Sequence, residues 1–507
     1  MKKFPSLRAH AAGQNLVVAA TLALALPLSL LDGCKVGPNY KRPVIQTPGA
    51  YRGAVAPDIA PDPTTTSLGD KQWASVFQDP VLQKLIEEAL KNNYDVQIAA
   101  KRVLEQQAQV GITKSNEYPT LSIGGSYDAL GLPSSLLQSL NTNNNGSTNT
   151  GNTSNGATHY YSGGLTSSAA WNLDFWGLYR RQTEAARAQL LNTEWGRQTT
   201  RATVVMNVAN AYFQLRALDA QMAITQQTIE ARQQSLDLTN TLEKGGSTSL
   251  ADVRQAEELY YTAKANVPQI EQQIAQQENS LSLLLGRNPG PILRPEATAQ
   301  SAGAIPIESQ PHPHDVPAGL PSQLLERRPD VRAAEAELIA ANAQIGAARA
   351  QFFPQLSLTG EGGVSSSQLK GLVNAGNAYY YITGNLAQPI FEGGKLTNNL
   401  RYAKAQQQEM LVTYEKTIAG ALSDVSTALV TYDKTREFRE QQEKQTAAAA
   451  DAVRLARMRY NGGSTSYLEV LTNDTNLYTA QLTLTQAQQN EADSLVQLYN
   501  ALGGGWQ

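Results

Sequence analysis

The sequence predicts a mainly α-helical chain with a membrane β-barrel portion, built from a helix, strand, strand, helix, helix unit used twice. Three observations predict it. The chain repeats itself almost without gaps. Its apolar seams run in four-three steps over more residues than a compact domain holds. Its period-two segments are too few to close a barrel within one chain.

The 507 residues are 41% hydrophobic, enough for a large core and, by length alone, for about three domains. Basic and acidic residues number 41 and 44, leaving a net charge of -3, so no charge field marks nucleic acid or an anionic surface as a partner. The single cysteine, Cys34, excludes an intrachain disulfide framework and any multi-cysteine metal site. His312 and His314 share the proline-rich "QPHPHD", which reads as a solvated linker rather than a metal site. No glycine-rich phosphate loop, pair of catalytic acids or nucleophile constellation stands out, so no enzyme activity, cofactor or metal is expected.

Residues 1–33 read as an export signal: Lys2, Lys3 and Arg8 precede the apolar run "LVVAATLALALPLSLL", which ends at "LLDGC". A small residue before a lone cysteine after such a run is the form of a bacterial lipoprotein signal, with Cys34 as the lipid anchor. Asp32 stands where such signals usually carry a small or uncharged residue. Beyond Cys34 there is no uninterrupted apolar run of about 20 residues, so further membrane contact must come from strands.

A shift of 235 lays residues 90–125 on 325–360, pairing Asp95 with Asp330, Ala108 with Ala343, Gly111 with Gly346 and Pro119 with Pro354. From Gly177 onward the shift is 217, pairing Gly177 with Gly394 and "GGSTS" at 245–249 with "GGSTS" at 462–466. The difference of 18 residues falls on the polar insert 141–156, which reads as an exposed outer loop. The expected divisions are an extended lipidated arm at 34–70, a first repeat at 71–286, a proline-rich linker at 287–321 and a second repeat at 322–507.

Within each repeat two segments alternate with period two. Leu121, Ile123, Gly125 and Tyr127 oppose Thr120, Ser122, Gly124 and Ser126; Leu165, Ala169, Trp171 and Leu173 oppose Thr166, Ser168 and Asn172. The second copy is weaker, with Leu356, Leu358, Tyr380, Ile382 and Leu386. Such strands with flanking tyrosines resemble those of outer-membrane barrels, and an ordinary half-buried sheet is the competing reading. Four strands cannot close a transmembrane barrel, whose smallest examples have about eight, so several chains must share one.

The helices are better specified. Val204, Val208, Ala211, Leu215, Leu218, Met222, Thr225 and Ile229 form a heptad seam, and Val253, Ala256, Tyr260, Ala263, Val267, Ile270 and Ile274 form its return. A helix from Gly177 to Glu243 would reach about 100 Å at 1.5 Å per residue. Pro268 should kink the returning helix. Each "GGSTS" is then the tip of a helical hairpin: Gly245, Gly246, Ser247, Thr248 and Ser249 in the first, Gly462, Gly463, Ser464, Thr465 and Ser466 in the second. The glycine pairs end the outgoing helices, where a positive φ is wanted. Ser249 caps the return helix with Asp252 three residues on, and Ser466 does so with Glu469, which makes the second a capping box.

The segments "CKVGPNYKRP", "WNLDFWG", "ERRPDVRAAEAELIAANAQIGAARAQFFPQLSLTG", "QPIFEGGKL" and "LYNALGGGW" resemble the NodT-type lipoproteins of the TolC-like outer-membrane efflux family, over essentially the whole mature chain. The resemblance implies a homotrimer with a shared 12-stranded barrel and a long α-helical periplasmic barrel. It implies lipid attachment in the bacterial outer membrane, and partners in a periplasmic adaptor (membrane fusion) protein and an inner-membrane RND-type pump. The tips become the adaptor-facing surface, and Tyr460, Leu468 and Glu469 the periplasmic gate. Thr472 and Thr475 stand where related pumps often carry Asp and Arg, which shifts the gate toward Leu468 and the acid; a pure helix cap is the other reading of Glu469. The leading function is the exit duct of a tripartite efflux pump for small molecules such as drugs. A duct for type I polypeptide secretion and a pore-less lipid-anchored coiled-coil scaffold are the alternatives.

Overall fold

A computed structural model describes residues 35–52, 67–133, 158–294, 307–310 and 316–506. The lipid-anchor reading of Cys34 and the outer-loop reading of 141–156 lie outside the described residues. The helices are α1 (Trp73–Val76), α2 (Pro80–Asn92), α3 (Tyr94–Ser115), α4 (Leu178–Lys244), α5 (Leu250–Leu284), α6 (Pro321–Arg327), α7 (Pro329–Ala350), α8 (Lys395–Asn461) and α9 (Tyr467–Ala501). The strands are β1 (Thr120–Leu132), β2 (Thr158–Leu173), β3 (Gln355–Ser366) and β4 (Ala378–Ala387).

The duplication reappears in the element boundaries. Adding 217 to the limits of α4 and α5 gives those of α8 and α9, and adding 235 to those of α3 gives α7. The glycine pairs Gly177 and Gly394, Gly246 and Gly463, and Gly286 and Gly503 all have positive φ. Compactness divides the chain otherwise. One unit holds the described parts of 1–41, 108–188 and 339–408, and the other those of 42–107, 189–338 and 409–507, so each draws on both copies.

The first unit contains the sheet, ordered β1-β2-β3-β4 and antiparallel throughout. Its N-terminal segment is strapped down from the first described residue. The buried Arg181 guanidinium donates to Val36 O (3.2 Å), Gly37 O (3.3 Å) and Asn39 Oδ1 (2.9 Å), while Glu184 receives its Nη1. Gly37 has φ 102°, and a Cβ there would lie 2.5 Å from Gly346 Cα, so this crossing admits glycine alone. Trp176 donates Nε1–H to Pro354 O at 2.8 Å and stacks on Phe353, which ties the end of β2 to the start of β3.

The second unit is cored by the predicted seams. Val204, Val208, Ala211, Leu215, Leu218 and Thr225 on α4, and Val253, Ala256, Ala263, Ile270 and Leu281 on α5, are all buried. α5 continues through Pro268. The charged "ERRPD" is structural: Arg327 pairs with Asp70 at 2.7 Å, and Arg328 with Asp330 at 2.6 Å and Asp424 at 3.1 Å.

One acid in this unit departs from the pattern. Asp493 on α9 receives Gln489 Nε2–H at 3.3 Å, but its Oδ1 is buried with no hydrogen-bond partner among the described residues. Burial pushes the carboxyl up to about 7, against the weaker opposing effect of the Gln489 bond. The folded value lies above the unfolded value of about 3.9, so folding favours the protonated form, and stability falls as pH rises from about 4 through 7. Asp493→Asn is therefore expected to melt several degrees higher than the parent at pH 8 and almost with it at pH 4. Circular-dichroism melts at both pH values check this, and equal melting temperatures at pH 8 would show that the acid is not strained.

Candidate functional site at the hairpin tips

Both outgoing helices end the same way. Ser247 N–H donates to Leu242 O and Gly246 N–H to Glu243 O, and the second tip repeats this with Ser464 to Arg459 and Gly463 to Tyr460. This is a Schellman closure, which needs a left-handed residue after the helix. Only the second glycine of each pair supplies it, Gly246 at 72° and Gly463 at 68°; Gly245 and Gly462 keep ordinary φ values. The tips are exposed apart from the half-buried Thr248 and Thr465, and a Cβ on Gly246 or Gly463 would meet nothing within 4 Å.

The return caps reverse the sequence expectation. The capping box is at the first tip, where Ser249 Oγ accepts from Asp252 N–H and the Asp252 carboxylate accepts from Thr248 Oγ1 (2.6 Å), Ser249 Oγ (2.8 Å) and Ser249 N (3.1 Å). These donors, Thr248 first, hold the Asp252 carboxyl below the usual carboxylate range. At the second tip Ser466 makes no side-chain cap. The extra methylene of Glu469 carries its carboxylate past the backbone to Arg459 Nη1 on α8 (2.8 Å) and to the Thr465 hydroxyl. One tip is thus closed by its own backbone, the other by an ion pair between its two helices.

Behind the tips the two hairpins share a small core: Leu236 from α4, Ala256 and Leu259 from α5, Ala456 and Tyr460 from α8, and Tyr467, Val470 and Leu471 from α9. Tyr460 is half-buried here, 5.2 Å from the Tyr467 ring, whereas Leu468 points outward at 56% exposure. Thr472 and Thr475 bond back to the helix carbonyls of Leu468 and Leu471. Of the three predicted gate residues the structure therefore places Tyr460 in the shared core, Glu469 in an ion pair and Leu468 at the surface.

Beside that core lies a polar node that sequence reasoning missed. Arg232 on α4, with its side chain 5% exposed, donates Nε–H to Asp474 Oδ2 on α9 at 2.9 Å and Nη1–H to Leu259 O on α5 at 2.8 Å. Arg457 on α8 reaches the other oxygen of Asp474 at 3.4 Å. The Tyr478 ring lies under the Arg232 guanidinium, and its hydroxyl bonds Thr225 and Asn266. All four long helices meet at this node. The available signal was periodicity, since three steps beyond Ile229 the α4 seam reaches Arg232, a charge at a core position.

The sheet of the first unit has two unlike faces. Following the register across all four strands, one face carries Leu121, Ile123 and Tyr127, then Leu165, Trp171 and Leu173, then Leu356, Leu358 and Val364, then Tyr380, Ile382 and Leu386. The other face carries mainly Ser, Thr, Asn and Gly, with Asp128, Glu361, Tyr379 and Tyr381, and the apolar Leu130, Ala170 and Ala387 toward its ends. The apolar face is solvent-exposed, with Leu121 at 80%, Ile123 at 79% and Tyr380 at 83%. A continuous apolar face that size marks an interaction with partner or lipid. Among the described residues no helix is long and apolar enough to cross a membrane, and none of their His, Cys, Asp and Glu side chains cluster as a metal site.

The chain matches the outer membrane efflux protein family over residues 85–287 and 320–504. It is 35% identical to the probable efflux pump outer membrane protein TtgC of Pseudomonas putida, covering 96% of this chain and 95% of that protein. It is 33% identical to the cation efflux system protein CusC of Escherichia coli K12, covering 94% and 97%. Its fold is similar to the crystal structure of the open state of the Neisseria gonorrhoeae MtrE outer membrane channel, with TM-score 0.80 and 30% identity over 94% of this chain and 99% of that one.

Proposed function

Because the chain belongs to the outer membrane efflux protein family and is the outer-membrane channel of an efflux pump, we propose that three copies close one barrel and one periplasmic duct through which small molecules leave. The observation that carries this reading is the sheet. Among the described residues it has four strands, two open edges and a face of exposed apolar side chains opposite a polar one. An isolated sheet with that pattern is insoluble and incomplete, whereas three copies supply twelve strands, no edge, a lipid-facing exterior and a wet lumen. Relatives are named for antibiotic, solvent and cation efflux, and small organic compounds are the cargo class proposed here.

Cys34 is the proposed lipid anchor and the end of a signal at 1–33. Its next residue begins the segment that Arg181 clamps and whose Gly37 crosses Gly346, which supports an anchor held near the membrane. Three-fold association, a periplasmic adaptor and an inner-membrane RND-type pump complete the proposed assembly, with the exposed "GGSTS" tips as the adaptor-facing surface and Tyr460, Leu468 and Glu469, joined by the Arg232 node, as the gate.

The tip assignment has a direct test. Gly246→Leu and Gly463→Leu each force a side chain into left-handed backbone at a cost of about 1 kcal/mol, into open space. The assembled channel should therefore melt almost unchanged while cross-linking to the adaptor and drug export are both lost. Variants that cross-link and export like the parent would reduce the tips to connectors.

A further inference from the structure

The polar face of the sheet is charged with one sign. No lysine or arginine stands in any of the four strands, while β1 carries Asp128 and β3 carries Glu361. Glu361 lies near the middle of β3, opposite Ser168 on one side and Tyr381 on the other. Its two carboxylate oxygens are each fixed by a phenol from β4: Tyr379 OH donates to Oε1 and Tyr381 OH to Oε2, both at 2.8 Å. A single glutamate on a flexible stem would spend its time along the wall in many rotamers, but two donors from a neighbouring strand hold this one in one place on the polar face. Tyr379 and Tyr381 alternate with Tyr380, which projects to the apolar side, so the β4 sequence "YYYI" divides its hydroxyls between the two faces of the sheet.

We infer that Glu361, oriented by Tyr379 and Tyr381, makes the barrel lumen favour cations over anions, which makes it a specificity-determining residue for what passes through. The inference rests on the shared-barrel reading, in which three copies place three such carboxylates around one water-filled lumen. Rings of acidic side chains select cations because the low-dielectric wall focuses their field into the pore, and here no basic strand residue offsets it. The solutes favoured are those with net positive charge, inorganic or organic; neutral solutes feel no such bias.

The test is the K+/Cl- permeability ratio of the purified full-length protein in planar bilayers under a KCl gradient. The parent should prefer K+, and Glu361→Gln should lower the ratio roughly two- to threefold with little change in single-channel conductance. Ser168→Lys, which leaves Glu361 in place but sets a positive charge opposite it, should lower the ratio similarly and guards against misfolding of the glutamine variant. Asp128→Asn should lower it less. Channels whose ratio is unchanged by Glu361→Gln and Ser168→Lys, or changed more by Asp128→Asn, would overturn the inference while leaving the channel reading intact. A protein that inserts and conducts neither as the parent nor as Arg232→Ala would overturn both.

Discussion

Arg232→Ala is expected to make the proposed periplasmic gate leak. The guanidinium joins α4 to α9 through Asp474 and to α5 through the Leu259 carbonyl, so its removal loosens one hairpin from the other where they meet. Removing one partner of a buried ion pair costs about 3–5 kcal/mol, because the remaining charge stays desolvated. Arg457 keeps a longer contact with Asp474 at 3.4 Å, which places the expected loss at the lower end. About 3 kcal/mol shifts a closed-to-open ratio by roughly a hundredfold, which would appear as a large rise in basal single-channel conductance and in sensitivity of the host to vancomycin. Arg232→Lys keeps the charge without the planar fork and should lie between. Leu468→Ala, at an exposed position outside the node, should raise conductance less. Equal conductance in Arg232→Ala and the parent would mean that the node only packs the helices.

The sheet gives the second large effect. Ile123→Lys sets a charge on the apolar face of β1, where insertion into a bilayer costs up to about 2–4 kcal/mol per copy. In the proposed three-copy barrel that penalty is threefold, and the variant should fail to accumulate as an assembled channel in the outer membrane. Ser122→Lys, one residue away, projects to the polar face and should assemble. Fractionated membranes run without heating report both outcomes. Equal assembly of the two variants would show that the exposed apolar face does not meet lipid.

Much of this was legible in the sequence because it depends on period. The seams of α4 and α5, the "GGSTS" turns and the repeat offsets all follow from spacing, and the structure places helix limits at the same offsets of 217 and 235. The errors arose where side-chain reach decides. Asp252 and Glu469 differ by one methylene, and that difference moved the capping box to the first tip and gave the second an Arg459 ion pair. The glycine doublets read as equivalent, yet a Schellman closure needs one left-handed residue, so only Gly246 and Gly463 have positive φ. The Arg232 node was hidden because Asp474 and Arg457 lie more than two hundred residues away in sequence. Glu361 was hidden for a similar reason: its role depends on which strands pair, and the weak alternation of the second copy does not give that register.

As proposed, the chain forms a pore whose lumen is shared among copies and whose periplasmic end is held shut by the Arg232 node behind the hairpin tips. Single-channel recording of the purified protein reconstituted in planar bilayers tests it most directly, with the parent and Arg232→Ala measured side by side. Small or infrequent openings are expected of the parent and large, long-lived ones of the variant. An inserted, oligomeric protein that carries no current in either form would contradict it.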